Sequence, residues 1–340
     1  MVTIKDIAKK ADVSIATVSL ALNNSDKIKD ETIARVKEVA REMNYIPNHR
    51  GRALVKGVNN TIGLLIPEIE NPFYGEVIQE IKNVLYEKDF HLILGSTDYK
   101  VEEEKRYINL FQKGMIDGAI FAGFANPEEL NEELIYNLAH NFIPVVFAFR
   151  KCFNEETVSV IPAVNARLKK ALYMATSYLI ELGHEKIAFV GKSAERLAGY
   201  KQALDEYNIP VRDEYIFNNY NKIEHGVEVG EKIMELSDRP TGLACFNDEI
   251  ALGIIQVLAN QGLKIPENIS VVGCDNIKMA NFSNPPLTTV DISKRKMARK
   301  AARILLELIS EGDVDYQNPG DDFSLKLIKR GSVISHRKTK

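Results

Sequence analysis

The 340-residue chain contains only three cysteines, Cys152, Cys245 and Cys274, which lie far apart in the sequence. So few cysteines exclude a disulfide-stapled scaffold and indicate a reduced, cytoplasmic protein. The chain also lacks any run of about 18 apolar residues that could span a membrane, and its N-terminus lacks the apolar core of a signal peptide. We therefore expect a cytoplasmic protein with no membrane partner.

The motifs of common enzyme classes are missing as well. Gly191-Lys192-Ser193 resembles the end of a phosphate-binding loop, but Lys186 stands where that loop requires a glycine. No Gly-x-Ser-x-Gly turn occurs, and the six histidines have no metal-ligand spacing. We expect no enzyme, no cofactor and no metal, and we interpret His184 as a helix C-terminal cap.

Two charged segments are predicted to be solvent-exposed helix surface. They are Glu102-Glu103-Glu104-Lys105-Arg106, and Lys294-Arg295-Lys296 with Arg299 and Lys300. Charge runs of this kind usually solvate a helix, so neither is assigned a site.

A helix-turn-helix pattern at the N-terminus is the most informative feature that the chain does contain. A capping box begins at Thr3, and apolar residues recur at helical spacing over 4–11. Ser14 is a good N-cap for a second helix over 15–22, and a third helix is predicted over 30–44. In the second helix Val18, Ala21 and Leu22 face inward. The opposite face is small and uncharged and can enter a DNA major groove; it is formed by Ile15, Ala16, Ser19 and Leu20.

The charge distribution supports a DNA-binding head. Residues 1–58 hold eleven Lys and Arg against seven acidic residues, a net charge of +4, whereas the whole chain carries −3 and the remainder therefore −7. A basic head on an acidic body is typical of anion binding by the head.

Three short amphipathic helices could instead form a protein-binding module, but the Val-Ser-x-x-Thr-Val-Ser segment at 13–19 favours DNA.

The remaining, roughly 280 residues alternate short apolar runs with amphipathic stretches, enough for two lobes. Strands are predicted near Ile62–Ile66, Phe90–Leu94, Ala119–Phe121, Val145–Phe147, Ile187–Val190, Leu243–Phe246 and Ile269–Val272. Helices are predicted near 74–88, 101–113, 128–140, 166–182, 224–236 and 248–261. This alternation predicts the α/β class, with parallel sheets covered on both faces.

Two such lobes imply a cleft, and ligands of open α/β sheets bind at the carboxyl ends of the strands. Polar and aromatic side chains follow predicted strands at the following positions: Asn71, Phe73, Arg196, Asn247 and Asp275. A guanidinium and a carboxylate give directional hydrogen bonds, so they suit a polar, hydroxylated ligand.

Short motifs along nearly the whole chain resemble the LacI/GalR family of bacterial transcription regulators. They are Val2–Ala8, Val13–Ser19, Asn44–Asn48 with Leu54, Asn71–Tyr74, Asp117-Gly118, Glu181–His184, Asn247-Asp248, Ser270–Gly273 with Asp275-Asn276, and Pro286–Val290. The resemblance implies a helix-turn-helix head, a hinge helix, and two doubly wound parallel-sheet lobes like those of a type I periplasmic sugar-binding protein. It implies a head at 1–46, a hinge at 47–58 and an effector-binding and dimerisation domain at 59–340. Within that domain we expect an N-lobe of about 59–160 and 291–322, and a C-lobe of about 161–290 and 323–340.

The resemblance also implies site residues. DNA contacts are expected at Thr3, Ser14, Ile15, Ala16, Thr17, Ser19, Leu20, Asn23, Asn48, Arg52 and Leu54. Leu54 would wedge between base pairs from a hinge helix that forms only on DNA. Effector contacts are expected at Asn71, Phe73, Tyr74, Arg150, Arg196, Tyr220, Asn247 and Asp275.

Some residues depart from the family's usual pattern. Leu20 stands where Arg or His is common, so a contact with a thymine methyl group is expected there. Arg167-Leu168 replaces an Asp-Asn pair of many sugar-responsive members, and Phe149 replaces an Asp before Arg150. Extra arginine near the cleft would favour an anionic effector such as a sugar acid or phosphosugar over a simple neutral sugar; the alternative is that Arg167 points to solvent.

The expected function is a homodimeric repressor that binds double-stranded, palindromic operator DNA and responds to a sugar or sugar derivative. Two alternatives stay open: a phosphorylated carrier protein as corepressor, and a sugar-binding transport protein, which the DNA-binding head opposes. Whether the effector induces or corepresses is also open, because function follows from its differential affinity for two states.

Overall fold

The computed structural model describes residues 2–22, 25–43, 45, 59–123, 131–141, 143–150, 160–220, 222–312 and 323–337. Two compact units, Met1–Asn59 and Asn60–Lys340, divide the chain. Within the described residues, no helix is both long and apolar enough to cross a bilayer. The predicted hinge at 47–58 lies outside the described residues.

The first unit contains three helices, α1 (Ile4–Lys10), α2 (Ile15–Leu22) and α3 (Asp30–Glu42). A capping box begins α1 at Thr3, and the Thr3 hydroxyl and the Thr3 N–H both donate to Asp6 Oδ2, at 2.6 and 2.8 Å. The Ser14 hydroxyl accepts the Thr17 N–H at 3.0 Å and caps α2. The three helices bury a small apolar core that includes Ile7, Val18, Ala21, Val36 and Ala40. The helix-turn-helix prediction is therefore confirmed.

The N-lobe of the second unit is built on a parallel sheet with strand order β2-β1-β3-β4-β5. Its strands are β1 (Thr61–Ile66), β2 (His91–Ser96), β3 (Gly118–Ala122), β4 (Val145–Ala148) and β5 (Ala163–Val164). The helices between them are α4 (Pro72–Tyr86), α5 (Val101–Phe111) and α6 (Glu132–His140). The β1, β3 and β4 strands are almost fully buried apolar runs, as expected for a sheet covered on both faces.

The C-lobe has a six-stranded sheet with order β11-β10-β9-β8-β6-β7. Its strands are β6 (Ile187–Gly191), β7 (Ile216–Asn218), β8 (Gly242–Cys245), β9 (Ser270–Cys274), β10 (Thr288–Asp291) and β11 (Lys326–Ile328). All neighbours are parallel except β10 and β11. Its helices are α7 (Leu168–Glu181), α8 (Ala194–Glu206), α9 (Ile223–Glu235) and α10 (Asp248–Asn260).

The chain passes between the lobes more than once. After β10 it enters α11 (Lys294–Glu311), which packs against α4, β3 and β4 of the N-lobe. The return strand β11 then pairs with β10 in the C-lobe. The expected start of the C-lobe at 161 is too early, because β5 pairs with β4 and so still belongs to the N-lobe sheet.

Candidate effector cleft

A cavity of about 540 Å³ lies between the two lobes of the second unit. The ends of β1, β3 and β4 supply one wall, and the segments that follow β6, β8 and β9 supply the other. Seven of the eight predicted effector residues line it: Asn71, Phe73, Tyr74, Arg150, Arg196, Asn247 and Asp275. The volume is within the usual range of small-molecule sites, about 300–1,000 Å³.

Three of the helices that begin at this cavity, α4, α8 and α10, are capped by a side chain. Asn71 Oδ1 accepts the Phe73 N–H at 2.9 Å, and Asn247 Oδ1 accepts the Ile250 N–H at 2.9 Å. The Ser193 hydroxyl caps α8 in the same way. Because the cap occupies Oδ1 of each asparagine, the Nδ2 amide is the group left to donate to a ligand. Helix N-termini also favour electron-rich groups, so this edge of the cavity suits oxygen acceptors.

Arg196 is the anchor of the C-lobe wall, and its side chain is only 1% exposed. It donates through Nη1 to the Phe246 carbonyl, and Nη2 lies 3.5 Å from Asp275 Oδ1. Its guanidinium lies over the Phe246 ring, 4.0 Å from the centroid. Burial raises the pKa of Asp275, and the Arg196 guanidinium opposes that shift.

Arg150 has an equivalent place in the N-lobe wall, and it is 4% exposed. It donates through Nη1 and Nη2 to the two carboxylate oxygens of Glu104, and its guanidinium lies 5.1 Å from the Phe147 centroid. Asn131 Nδ2 also donates to Glu104 Oε2, at 3.0 Å. The prediction that 102–106 is wholly solvated is therefore wrong for Glu104, which is buried and lines the cavity.

The Arg150–Glu104 ion pair weakens the prediction of an anionic effector. The charge of Arg150 is balanced by Glu104 and that of Arg196 by Asp275. The two buried guanidinium groups therefore offer directional donors more than net positive charge. Two exposed lysines line the cavity, Lys100 from the N-lobe and Lys192 from the C-lobe, and neither forms an ion pair with another described residue.

Aromatic rings form the apolar part of the cavity. Phe73 makes edge contacts with Tyr74 and Phe149, each at 5.1 Å between centroids. Phe121 and Phe246 also line the cavity, and burial raises the pKa of the Tyr74 hydroxyl, which stays protonated as a donor. Ring faces of this kind can stack on the C–H face of a sugar or on a planar ring.

The structure does not bring Tyr220 into this lining. Its hydroxyl accepts from Lys232 Nζ and donates to Glu228 Oε1 at 3.3 Å, so α9 holds it away from the cavity. His184 follows α7 as predicted, but both ring nitrogens have partners, Thr241 Oγ1 and the Ile334 carbonyl, each at 3.0 Å. Among the described residues, no group of three His, Cys, Asp or Glu side chains could hold a metal.

In the first unit, the outward face of α2 has the predicted composition. Ile15, Ala16 and Leu20 are exposed, and Ser19 is half-buried. Thr3 and Ser14 are exposed at the starts of α1 and α2, with Thr17 in the first turn of α2. The other predicted DNA contacts, Asn23, Asn48, Arg52 and Leu54, lie outside the described residues.

Residues 3–48 match the family described as "Bacterial regulatory proteins, lacI family", and residues 176–333 match "Periplasmic binding protein-like domain". The HTH-type transcriptional repressor PurR of Vibrio atlanticus is 35% identical over 339 residues, which cover 98% of this chain and 99% of that protein. The chain belongs to the lacI family of bacterial regulatory proteins. It is a transcriptional repressor with a ligand-binding body, and not an enzyme.

Two solved structures resemble this lacI-family repressor. The lac repressor dimer bound to operator and the anti-inducer ONPF has a TM-score of 0.82 at 22% identity, covering 98% of this chain and 99% of that one. This likeness concerns the fold. A LacI family transcriptional regulator from Enterococcus faecium with bound ribose has a TM-score of 0.71 at 26% identity, covering 82% and 100%. The predicted fold, a helical head followed by two parallel-sheet lobes, is confirmed.

Two cleft-related residues of the lacI-family repressor escaped the sequence analysis. Glu104 lies in an acidic run whose helical spacing gave no sign of its buried partner 46 positions away. Lys294 was expected at the surface, but it is 3% exposed and donates to the carbonyls of Asp275 and Asn276. A lysine among other basic residues carries no sequence signal of burial, because only the long-range fold supplies its acceptors.

Proposed function

We propose that this repressor binds a palindromic operator as a homodimer in the cytoplasm, and that a sugar or sugar derivative in the interlobe cavity changes its operator affinity. One observation carries the proposal: two buried arginines, Arg150 and Arg196, line a single cavity from opposite lobes. A ligand that bonds to both would favour one relative position of the lobes over the other. The proposed organisation is a head at 1–46, a hinge at 47–58 and the two lobes beyond.

The chemistry of the lining supports a polyhydroxylated effector. Sugar hydroxyls both donate and accept, and the cavity offers donors at Arg150, Arg196 and the two asparagine amides, with Asp275 as an acceptor. The bound ribose of the Enterococcus faecium regulator supports the same class. A sugar acid or phosphosugar would place its anionic group towards Lys100 and Lys192, since the buried arginines are already paired.

The proposed DNA contacts combine an apolar reading face with a hinge. Ile15, Ala16 and Leu20 are exposed on α2 and would contact base edges and thymine methyl groups. Gly51 lowers helix propensity in the hinge by about 1 kcal/mol relative to alanine, so the hinge helix would need DNA to form. Leu54 would then wedge between base pairs and kink the operator.

The proposed dimer has a candidate surface on the C-lobe. Met279 and Phe282, in and after the short 3₁₀ turn Lys278–Asn281, are 54% and 68% exposed. Exposed large apolar side chains that lie together are typical of an interface. The lac repressor dimer supports the homodimer, whereas the comparisons give no support to a phosphorylated carrier protein as partner.

A ligand panel and two arginine variants test the proposal. The full chain is screened by thermal shift with ribose, gluconate, glucose 6-phosphate and hypoxanthine, and binding is then measured by calorimetry for wild type, Arg196→Lys and Arg212→Lys. A lysine cannot reproduce the guanidinium fork, so Arg196→Lys should weaken binding at least tenfold, about 1.4 kcal/mol. Arg212 pairs at the surface with Asp238 and Glu214, and its lysine variant is the control.

Operator binding completes the test. An operator is selected from random DNA by the full chain, and its affinity is measured with and without the active compound; the sign of the change distinguishes induction from corepression. A compound that binds equally to wild type and Arg196→Lys would place the effector outside the cavity. No thermal shift with any compound would count against a sugar-like effector.

A further inference from the structure

Lys294 joins the two lobes through a single buried ammonium group. It is the first residue of α11, which packs on α4, β3 and β4 of the N-lobe. Its Nζ reaches into the C-lobe and donates to the carbonyls of Asp275 at 2.7 Å and Asn276 at 2.8 Å. Glu76 of α4 lies on its other side, with Oε2 at 3.4 Å. An ammonium has three donors, and these three acceptors use them all.

The two carbonyls belong to a strained turn that carries an effector-facing side chain. Asp275 and Asn276 have φ angles of 103° and 51°, two successive left-handed residues without glycine. Such a turn persists only where surrounding contacts over-determine it. The carboxylate of Asp275 points to Arg196 and the cavity, while the carbonyl of the same residue is held by Lys294. A ligand that moves this side chain therefore acts directly on the bonds to Lys294.

Glu76 extends the contact into the N-lobe helix that borders the cavity. Its Oε1 accepts the backbone N–H of Lys278 from the C-lobe at 3.2 Å, and its Oε2 accepts from Arg295 Nε at 2.9 Å. Glu76 lies about one turn beyond Phe73, which lines the cavity from α4 together with Tyr74. Rotation of one lobe against the other must change the bond to Lys278, because Lys278 belongs to the C-lobe, whereas Arg295 lies on α11 with the N-lobe.

We infer that Lys294, with Glu76, is a positioning pair that couples the Asp275 turn to α4 and so sets the relative position of the two lobes. The inference rests on the proposed function, because it assigns a regulatory role to contacts beside the proposed effector cavity. The pair touches no ligand; it acts through Asp275 on one side and α4 on the other. Coupling of this kind is physically warranted where an element has two arrangements that both sites can bias.

The first test measures the distance between the lobes without any effector. The exposed residues Lys113 and Lys201 are each replaced by cysteine and spin-labelled, in a full chain that also carries Cys152→Ser. The other two cysteines, Cys245 and Cys274, are fully buried. The labelled protein is mixed with an excess of unlabelled protein. Lys294→Met keeps the length of the side chain without its charge, and Glu76→Gln keeps an acceptor for the Lys278 N–H. Lys296→Met, two residues further along α11 and exposed, is the matched control.

Lys294→Met and Glu76→Gln should each shift or broaden the interlobe distance distribution, and the double variant should do so no more than either alone. Lys296→Met should match the wild type. A purely stabilising role for Lys294 would lower the melting temperature and leave the distribution unchanged, and that result would overturn the inference. So would additive effects of the two variants, since a coupled pair is non-additive.

The second test measures how much an effector changes the operator affinity. The effector used is whichever of ribose, gluconate and glucose 6-phosphate shifts the wild-type melting temperature. Allosteric coupling is typically about 5- to 150-fold in affinity. Lys294→Met should bring the ratio of operator affinities with and without this compound close to one while the compound still binds. An unchanged ratio would overturn the inference. If no compound binds the wild type, the sugar-effector proposal fails, and the distance measurement still decides the role of Lys294.

Discussion

The Glu104 carboxylate accepts hydrogen bonds from both terminal nitrogens of the Arg150 guanidinium, at the N-lobe wall of the effector cavity. The pair is buried, and Phe147 lies against the guanidinium. Arg150 Nε has no hydrogen-bond partner among the described residues, although it too is buried. The Glu104 carboxylate fixes the direction in which the guanidinium points, beside the cavity that both residues line.

Breaking this pair should destabilise the body. The side chains of Arg150 and Glu104 are 5% and 11% exposed, and removal of one partner from a buried pair typically costs about 3–5 kcal/mol. Arg150→Met and Glu104→Leu should therefore each lower the free energy of unfolding by about that amount in urea denaturation. The double variant should recover most of the loss, because it leaves no unpaired buried charge. Single variants with wild-type stability would show that the pair is solvated.

Substitution by alanine should change the free energy of unfolding in opposite directions at two glycines. At Gly199 of α8 an added Cβ would lie 1.9 Å from the Lys169 carbonyl oxygen of α7, a backbone atom that cannot move alone. Gly199→Ala should lower the free energy of unfolding by about 1–3 kcal/mol, as overpacking does. At Gly75 of α4 nothing lies within 4 Å, so Gly75→Ala should raise it by about 0.5–1 kcal/mol. Equal effects in thermal denaturation would contradict the close approach of α7 and α8.

Stability should fall with rising pH where Glu249 titrates. Burial, and after it the charges of Glu68, Asp275 and Glu224, raise the pKa of Glu249 from 4.5 to about 7, while Lys222 opposes the shift. The folded protein therefore holds this proton more tightly than the unfolded chain does. The contribution is fully present below about pH 4.5 and is lost as the pH rises through about 7.

Glu249→Gln removes this titration and should flatten that part of the stability profile. The measurement is the free energy of unfolding of wild type and variant between pH 5 and 8, with the exposed Glu231→Gln as control. Parallel profiles for wild type and Glu249→Gln would show that Glu249 titrates at its ordinary pKa.

Operator affinity should depend on Leu20 and on salt in separable ways. Leu20 is 37% exposed on α2 and has no charge to offer a phosphate. Leu20→Ala should weaken binding to operators with thymine at the contacted position and leave the salt dependence unchanged.

The wild-type slope of log affinity against log salt should be about −0.9 for each phosphate neutralised. Fluorescence anisotropy checks both, with Val211→Ala, an exposed apolar residue of the body, as control. A smaller salt slope for Leu20→Ala would assign Leu20 to the backbone contacts.

Regular elements were predictable to within a few residues, because their signal is local. The period of apolar residues predicted α1 to α3, and most strands and helices of the lobes, close to their observed bounds. The short strands β5, β7, β10 and β11 were not predicted, and α8 was not among the predicted helices. Strands of two to four residues hold too few positions for a period to appear, so their place depends on the neighbouring strand.

The helical head, the α/β body and the edge of the sheets at which the cavity lies were all predictable from the order of the residues alone. These features follow from apolar spacing, capping residues and the parallel order of the strands. The pairing of the charges depends on long-range folding: Glu104 neutralises Arg150, Asp275 neutralises Arg196, and Lys294 is buried between the lobes. Such pairings join residues 46 or 79 positions apart, and only the folded chain supplies both their contact and the burial that strengthens it.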